Sequence, residues 1–464
     1  LWPLGTAVLH FHKQRRLQEP LEPGMGVLCH VTSLPNEGRP GTLGAPARRF
    51  VDWLAECGQT YWQVLPVNPA DGYGSPYAGL AAFAGNTCLL EKDPEEVLAE
   101  LRDADDDPDY QAFLEKNKYW LTPYATFRAI KDLLGEGPWQ EWPDAYARFS
   151  PGLARRVELA DGVDRHRKLQ YEFQREWDDL KAYANARGIK IVGDMPMYVS
   201  GDSADVWAER DIFELDERGY AQVQAGCPGD GFDPEGQLWG NPTYHWDVLS
   251  ARGYDWWLAR LERAVETYDY VRLDHFIGFS SYYKIAKGKP AREGSFSFGP
   301  VLDLFRAAYQ KLGPLPFIAE DLGVITPAVR ALIAETGIPG MDIVQFSDGD
   351  VREGYEPKPG TVTFTGTHDN QTLLGFCQSR FGLEGEEATQ MADRIAASVL
   401  GSKNDVAIMP LQDVLGLDDA ARMNVPGVAE GNWSWRAEEQ DVLLATERLK
   451  ELARAAGRFR EVSA

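Results

Sequence analysis

The sequence predicts an α/β fold, a (β/α)8 TIM barrel with inserted subdomains on its catalytic face, and three observations predict it. Acidic residues close three apolar runs in the second half of the chain: Asp274 after 270–273, Glu320 after 317–319, and Asp369 at the end of 362–369. Their spacings of 46 and 49 residues suit successive or near-successive strand–helix units. Eight short apolar runs can be counted, the number a closed barrel needs. Helical-period segments between them end at glycine, as helices leading directly into strands do.

In chain order the runs are 26–30, 61–67, 189–199, 270–276, 317–323, 341–346, 362–369 and 405–415. They are rich in β-branched and aromatic residues. Most are apolar at consecutive positions, the mark of parallel strands covered on both faces. Pro410 interrupts the last run. Helical periodicity is clearest over 47–57, 171–187 and 327–336, followed by Gly58, Gly188 and Gly337. The interval between the second and third runs is far longer than one helix needs, so 72–170 reads as an inserted subdomain. A second insertion at 200–255 is rich in Gly, Pro, Asp and Trp. The whole, 1–464, reads as one catalytic barrel domain without internal repeats.

Composition narrows the function classes. Lys and Arg total 47 against 71 Asp and Glu, a formal charge of −24. Phosphate-backbone affinity depends on basic groups, so no nucleic-acid partner is expected. No membrane partner is expected either, since no apolar stretch reaches spanning length. A neutral sugar is compatible with this charge. Five cysteines, at 29, 57, 88, 227 and 377, form no Cys-x-x-Cys pair. That pattern points to a reducing, cytoplasmic location rather than a disulfide framework. The N-terminal apolar stretch precedes its basic residues, the reverse of a secretory signal. Oligomeric state is left open.

Three carboxylates at strand ends of one barrel suggest acid–base work on a glycosidic bond. A retaining enzyme needs an ionised nucleophile and a protonated acid about 5–5.5 Å apart. Arg272 lies two residues before Asp274, on the same strand face, where its charge keeps Asp274 ionised. Glu320 has no adjacent cation in sequence. Each residue also has a bland reading. Arg272 and Asp274 could be a structural ion pair, and Glu320-Asp321 or Asp369-Asn370 could cap the helix that follows.

Arg272-Leu-Asp274-His275, Ala319-Glu320-Asp321 and Phe364-Thr-Gly-Thr-His368-Asp369 resemble the signatures of the α-amylase clan. The branch they resemble most is the 4-α-glucanotransferases (amylomaltase, or disproportionating enzyme). Further matches are Ser75-Pro76-Tyr77 with 79–85, Gly193-Asp194-Met-Pro-Met-Tyr-Val199, Asp202-Ser-Ala-Asp-Val-Trp207 and Gly236-Gln-Leu-Trp-Gly-Asn-Pro242. Gly26-Val-Leu-Cys-His30 with Thr32-Ser-Leu-Pro35, and Arg422-Met-Asn-Val-Pro-Gly427 with Gly431-Asn-Trp433, extend the resemblance to about 24–436. It implies Asp274 as nucleophile, Glu320 as acid/base and Asp369 as transition-state binder. Arg272 and His368 would support them, and Asp194 would line the donor site. Tyr77 and Trp239, inside family motifs, would stack on sugars. Tyr73, Phe232 and Trp246 lie in or beside the insertions with no such assignment.

The reaction implied is transfer of an α-1,4-glucan segment between donor and acceptor sugars through a glycosyl-enzyme intermediate, with no cofactor and no metal. The alternative in the same clan is an α-1,4-glucan hydrolase, distinguished by whether sugar or water is the acceptor. A metal-dependent barrel using His275 and His368 is disfavoured because each adjoins a carboxylate pointing the other way. A silent glycan-binding barrel would have been free to lose one of the three carboxylates. No C-terminal β-sandwich domain of the kind amylases append is expected. The chain departs from the family in two places: an Asp is absent before Ser75, and Gly231 replaces an aromatic in the loop 229–233. The second bears on acceptor binding, chain-length preference and formation of large rings.

Overall fold

The computed structural model describes residues 17–229, 235–428 and 430–461. Its strands are β1 (Gly24–Leu28), β2 (Tyr61–Gln63), β3 (Lys190–Met195), β4 (Val223–Cys227), β5 (Gln237–Pro242) and β6 (Tyr270–Leu273), followed by β7 (Ser281–Ala286), β8 (Ser295–Phe298), β9 (Phe317–Ala319), β10 (Met341–Ile343), β11 (Val362–Phe364) and β12 (Val406–Pro410). Eight of them form one parallel sheet in the order β10-β11-β12-β1-β2-β3-β6-β9. Its two end strands approach each other where the Ala319 N–H donates to the Pro339 carbonyl at 2.8 Å. The result is a nearly closed barrel with helices outside it, as the sequence predicts.

Side-chain alternation explains where the polar layer falls. Val192, Tyr270 and Ile318 belong to the apolar cluster inside the barrel, together with Leu28, Tyr61, Val362, Phe364 and Ile408. Two residues further along β3, β6 and beyond β9 come Asp194, Arg272 and Glu320, so the same faces turn polar at their C-terminal ends. A second apolar cluster, with Ile191, Val271, Trp62 and Met409, fills the space between strands and helices.

The strands are shorter than the apolar runs that announced them. The run 189–199 ends as a strand at Met195, 362–369 at Phe364, and 341–346 gives way to a 3-10 turn after Ile343. The reason is burial beyond the ladder. Val64, Leu65, Val67, Met197 and Val199 are all buried although they lie in loops over the barrel mouth. In 405–415 the strand stops at Pro410 and Leu411–Leu415 is helical. Helix 47–57 forms as Ala45–Glu56, and 171–187 is the second part of a longer helix, Ala160–Ala186. Pro327–Thr336 is capped by the Thr326 hydroxyl and closed by Gly337 at φ 72°, a left-handed residue donating to the Ile333 carbonyl.

The stretch 72–170 holds helices Pro94–Glu100 and Pro108–Leu134, the second lying against Ala160–Ala186. Its Trp120, Trp139 and Trp142 are buried. Strands β4 and β5 come from 200–255, but the sheet they belong to was not expected. It is antiparallel, β5-β4-β7-β8, and half of it follows β6. Those strands are only 6 and 4 residues long and meet through no Asn-Gly or Asp-Gly turn, so the hairpin left little trace in sequence. No helix among the described residues is long and apolar enough to cross a membrane.

Candidate active site

Asp274 is the first residue past β6, and Glu320 the first past β9. Register places them side by side: the Glu320 N–H donates to the Leu273 carbonyl and the Phe276 N–H to the Glu320 carbonyl, both at 3.0 Å. Between them His275 adopts a left-handed conformation (φ 48°, ψ 45°). That turn aims its N–H at the Glu320 carboxylate, 2.6 Å from Oε2, while the Leu322 N–H reaches Oε1 at 3.3 Å. Asp369 differs from expectation. It sits five residues beyond the end of β11, on a loop rather than at a strand end.

Arg272 joins the nucleophile candidate to the donor-site candidate. Its Nη1 lies 2.8 Å from both oxygens of Asp194 and 3.0 Å from Asp274 Oδ1. Burial of the guanidinium opposes its charge, but Asp194 and Asp274 outweigh this and hold its pKa well above the usual value. The Tyr77 hydroxyl donates to Asp194 Oδ2 at 2.7 Å. Burial pushes the Asp194 carboxyl upward from its ordinary value, with Arg272 acting against it.

The Tyr77 ring stacks on His368 at 4.9 Å and 16°, and Trp433 leans on both rings at 5.8 and 6.0 Å. His368 Nε2 lies 3.3 Å from Asp369 Oδ2, and the Asn424 amide donates to Oδ1 at 2.6 Å. Although 45 % of its side chain is accessible, Asp369 is crowded enough for desolvation to push its carboxyl up. His368 and Asn424 prevail and hold it below the usual carboxylate range. A chain of contacts therefore runs from Asp274 through Arg272 and Asp194 to Tyr77 by hydrogen bonds, and from Tyr77 to His368 and Asp369 by a ring stack and an ion-pair contact.

Glu320 and Asp274, at the ends of adjacent strands, sit in different surroundings. Burial pushes Glu320 up to about 8, Asp274 adds to the rise, and Arg272 together with two backbone N–H groups opposes it. At neutral pH Glu320 carries a proton. Asp274 instead lies 3.0 Å from the Arg272 guanidinium. Absence of a neighbouring cation in sequence did not make this difference, because Arg272 does act on Glu320; burial did.

The helix-cap readings of the acidic residues do not hold, whereas Arg272 and Asp274 do form an ion pair, at 3.0 Å. Thr326 caps the helix after β9, while Asp321 accepts the Met341 N–H at 2.7 Å beside the seam. Thr372, not Asp369 or Asn370, caps the helix after β11. Trp239 lies on β5, 37 % exposed, edge-on to His275 at 5.0 Å. Tyr73 is 71 % exposed, and Trp246 packs among Tyr244, Trp257 and Phe279 rather than in the cleft. Phe232 and Gly231 lie outside the described residues. At the other departure Asp71 takes over: its Oδ1 accepts the N–H groups of Tyr73 and Ser75 at 3.0 and 2.9 Å, shaping the turn that leads to Tyr77.

Sequence reasoning named no role for Asn424, Trp433 or Tyr198. Asn424 and Trp433 sat inside motifs already noted, but neither carries a charge to draw attention. The Tyr198 hydroxyl and His275 Nε2 are buried without hydrogen-bond partners, and their rings are 6.0 Å apart. Among the described residues, no group of three or more His, Cys, Asp or Glu is arranged to hold a metal ion.

An α/β barrel that brings two carboxyls, one of them held protonated by burial, to the C-terminal ends of adjacent strands has the parts a glycoside-processing enzyme needs. Comparison with known proteins is specific. The family described as 4-alpha-glucanotransferase matches residues 29–107 and 95–441. A 4-alpha-glucanotransferase of Streptococcus pneumoniae is 39% identical over 91% of this chain and 94% of its own length. That of Thermus thermophilus is 38% identical over 89% and 94%. The structure of the amylomaltase from Streptococcus agalactiae in complex with acarbose superposes with a TM-score of 0.85 at 34% identity, covering 95% of this chain and all of that one. The chain belongs to the 4-alpha-glucanotransferase family, and it is a glycosyl-transferring enzyme.

Proposed function

We propose that this enzyme moves α-1,4-glucan segments from a maltooligosaccharide or starch-like donor to the 4-hydroxyl of an acceptor sugar. Asp274 attacks the anomeric carbon while Glu320 protonates the leaving oxygen, giving a covalent glycosyl-enzyme. The freed chain end leaves, an acceptor hydroxyl enters, and Glu320, now ionised, removes its proton as the second displacement restores the original stereochemistry. Asp369, His368 and Asp194 bind the hydroxyls of the sugar at the reacting centre, Tyr77 supports its ring, and Arg272 pairs with Asp274 at 3.0 Å. Trp239 offers a stacking face on the acceptor side. The observation that carries this reading is the separation of Glu320, pushed up to about 8, from an Asp274 paired with Arg272.

Maltotriose as sole substrate tests it, with products resolved by chain length. Transfer gives glucose together with chains longer than the substrate. Glucose and maltose without elongation would mean that water is the acceptor and the enzyme is a hydrolase.

A further inference from the structure

Between Phe364, the end of β11, and Leu373, where the next helix begins, the chain is neither strand nor helix. This loop carries His368 and Asp369. Asp413, only 4 % exposed on the helix Leu411–Leu415, reaches both of its ends at once. Its Oδ2 accepts the Thr365 hydroxyl at 2.6 Å and its Oδ1 the Leu373 N–H at 2.7 Å. Asp419 repeats the device one step outward, accepting the Thr372 N–H at 3.0 Å and the Gln371 amide at 2.6 Å. Gln345 also bridges the loop, its amide donating to the Thr365 and Gln371 carbonyls at 3.1 and 2.8 Å, but without Asp413 two buried donors would lose their acceptor. The carboxylate is far from a sugar-binding role: every contact it makes is to the loop or its own surroundings.

We propose that Asp413 is a positioning residue, closing the loop from beneath so that Asp369 and His368 face the reacting sugar. The inference rests on the role given to Asp369 above. A carboxylate supplies two charged acceptors at fixed separation, whereas an amide keeps one neutral acceptor and offers an N–H to the Thr365 hydroxyl, reversing and weakening that tie. A displacement of Asp369 of about 1 Å is enough to cost roughly a hundredfold in turnover.

The test is maltotriose kinetics on Asp413→Asn, Thr365→Val, their double variant and Asp369→Asn. Asp413→Asn should lower kcat about ten- to hundredfold with KM within about twofold, while thermal unfolding remains one cooperative transition. Thr365→Val should lower kcat less, and the double variant should be no worse than Asp413→Asn, since both cut the same tie. Parent-like kcat in Asp413→Asn, or a loss confined to KM, overturns the proposal. Should that variant fail to fold, Thr365→Val and Asp419→Asn decide: reduced kcat in both at unchanged KM supports it, parent kcat in both overturns it. Asp369→Asn separates the two levels. If it keeps full activity, the role of Asp369 is wrong whatever Asp413→Asn does.

Discussion

Glu320 holds the chemistry of this site in one number. A carboxyl pushed up to about 8 is a proton donor at neutral pH and an adequate base once it has given the proton away. Glu320→Gln should therefore lower kcat on maltotriose by about 10²–10⁴-fold, measured as glucose release. In the parent, turnover should fall as pH rises through about 8, because the ionised form cannot protonate the leaving oxygen. The same shift sets a stability effect of definite sign. The folded state holds this proton between the ordinary carboxylate range and about 8 while the unfolded chain releases it, so the parent loses stability progressively over that window. Glu320→Gln escapes the cost. Its melting temperature should rise relative to the parent as pH goes from 5 to 8, and a constant difference would contradict the burial argument.

At the scale of elements, β6 and β5 divide the work. Strand β6 delivers Arg272 and Asp274 from one face, a consequence of two-residue periodicity that could be read from the sequence alone. Asp369 could not be placed that way, because the apolar run 362–369 continues beyond a strand that stops at Phe364. Its position depends on a loop whose ties come from Asn424 and Asp413, distant in sequence and unremarkable in composition. The hairpin of β7 and β8 was invisible for a related reason: its pairing with β4 is decided in three dimensions. Trp239 on β5 supplies an accessible ring, so Trp239→Ala should raise KM for the acceptor several-fold, with melting temperature nearly unchanged. A large loss of stability instead would make Trp239 a packing residue.

On the scale of the whole molecule, the inserted helices are fastened to the barrel mouth by a buried ion pair. The Lys131 side chain, 1 % exposed on the helix Pro108–Leu134, reaches Asp202 at 2.9 Å in the loop after β3. It also donates to the carbonyls of Glu136 and Gly137. Removing one partner of a buried pair typically costs about 3–5 kcal/mol, because the other is left unpaired. Lys131→Met should lower the unfolding free energy toward that range in a denaturant titration, somewhat less because Asp202 retains partial access to solvent. Such a latch was not legible beforehand: the sequence predicts an inserted segment over 72–170, but Lys131 and Asp202, 71 residues apart, give no sign of their pairing.

The double displacement through Asp274 can be tested by intercepting its intermediate. Glu320→Gln, incubated with an α-maltosyl fluoride whose leaving group needs no protonation, should still form the glycosyl-enzyme but lack the base that clears it. Intact-mass spectrometry should then show the protein heavier by one maltosyl group, and peptide mapping should place the addition on Asp274. An unmodified mass alongside continued fluoride release, or an adduct on another residue, would contradict the mechanism.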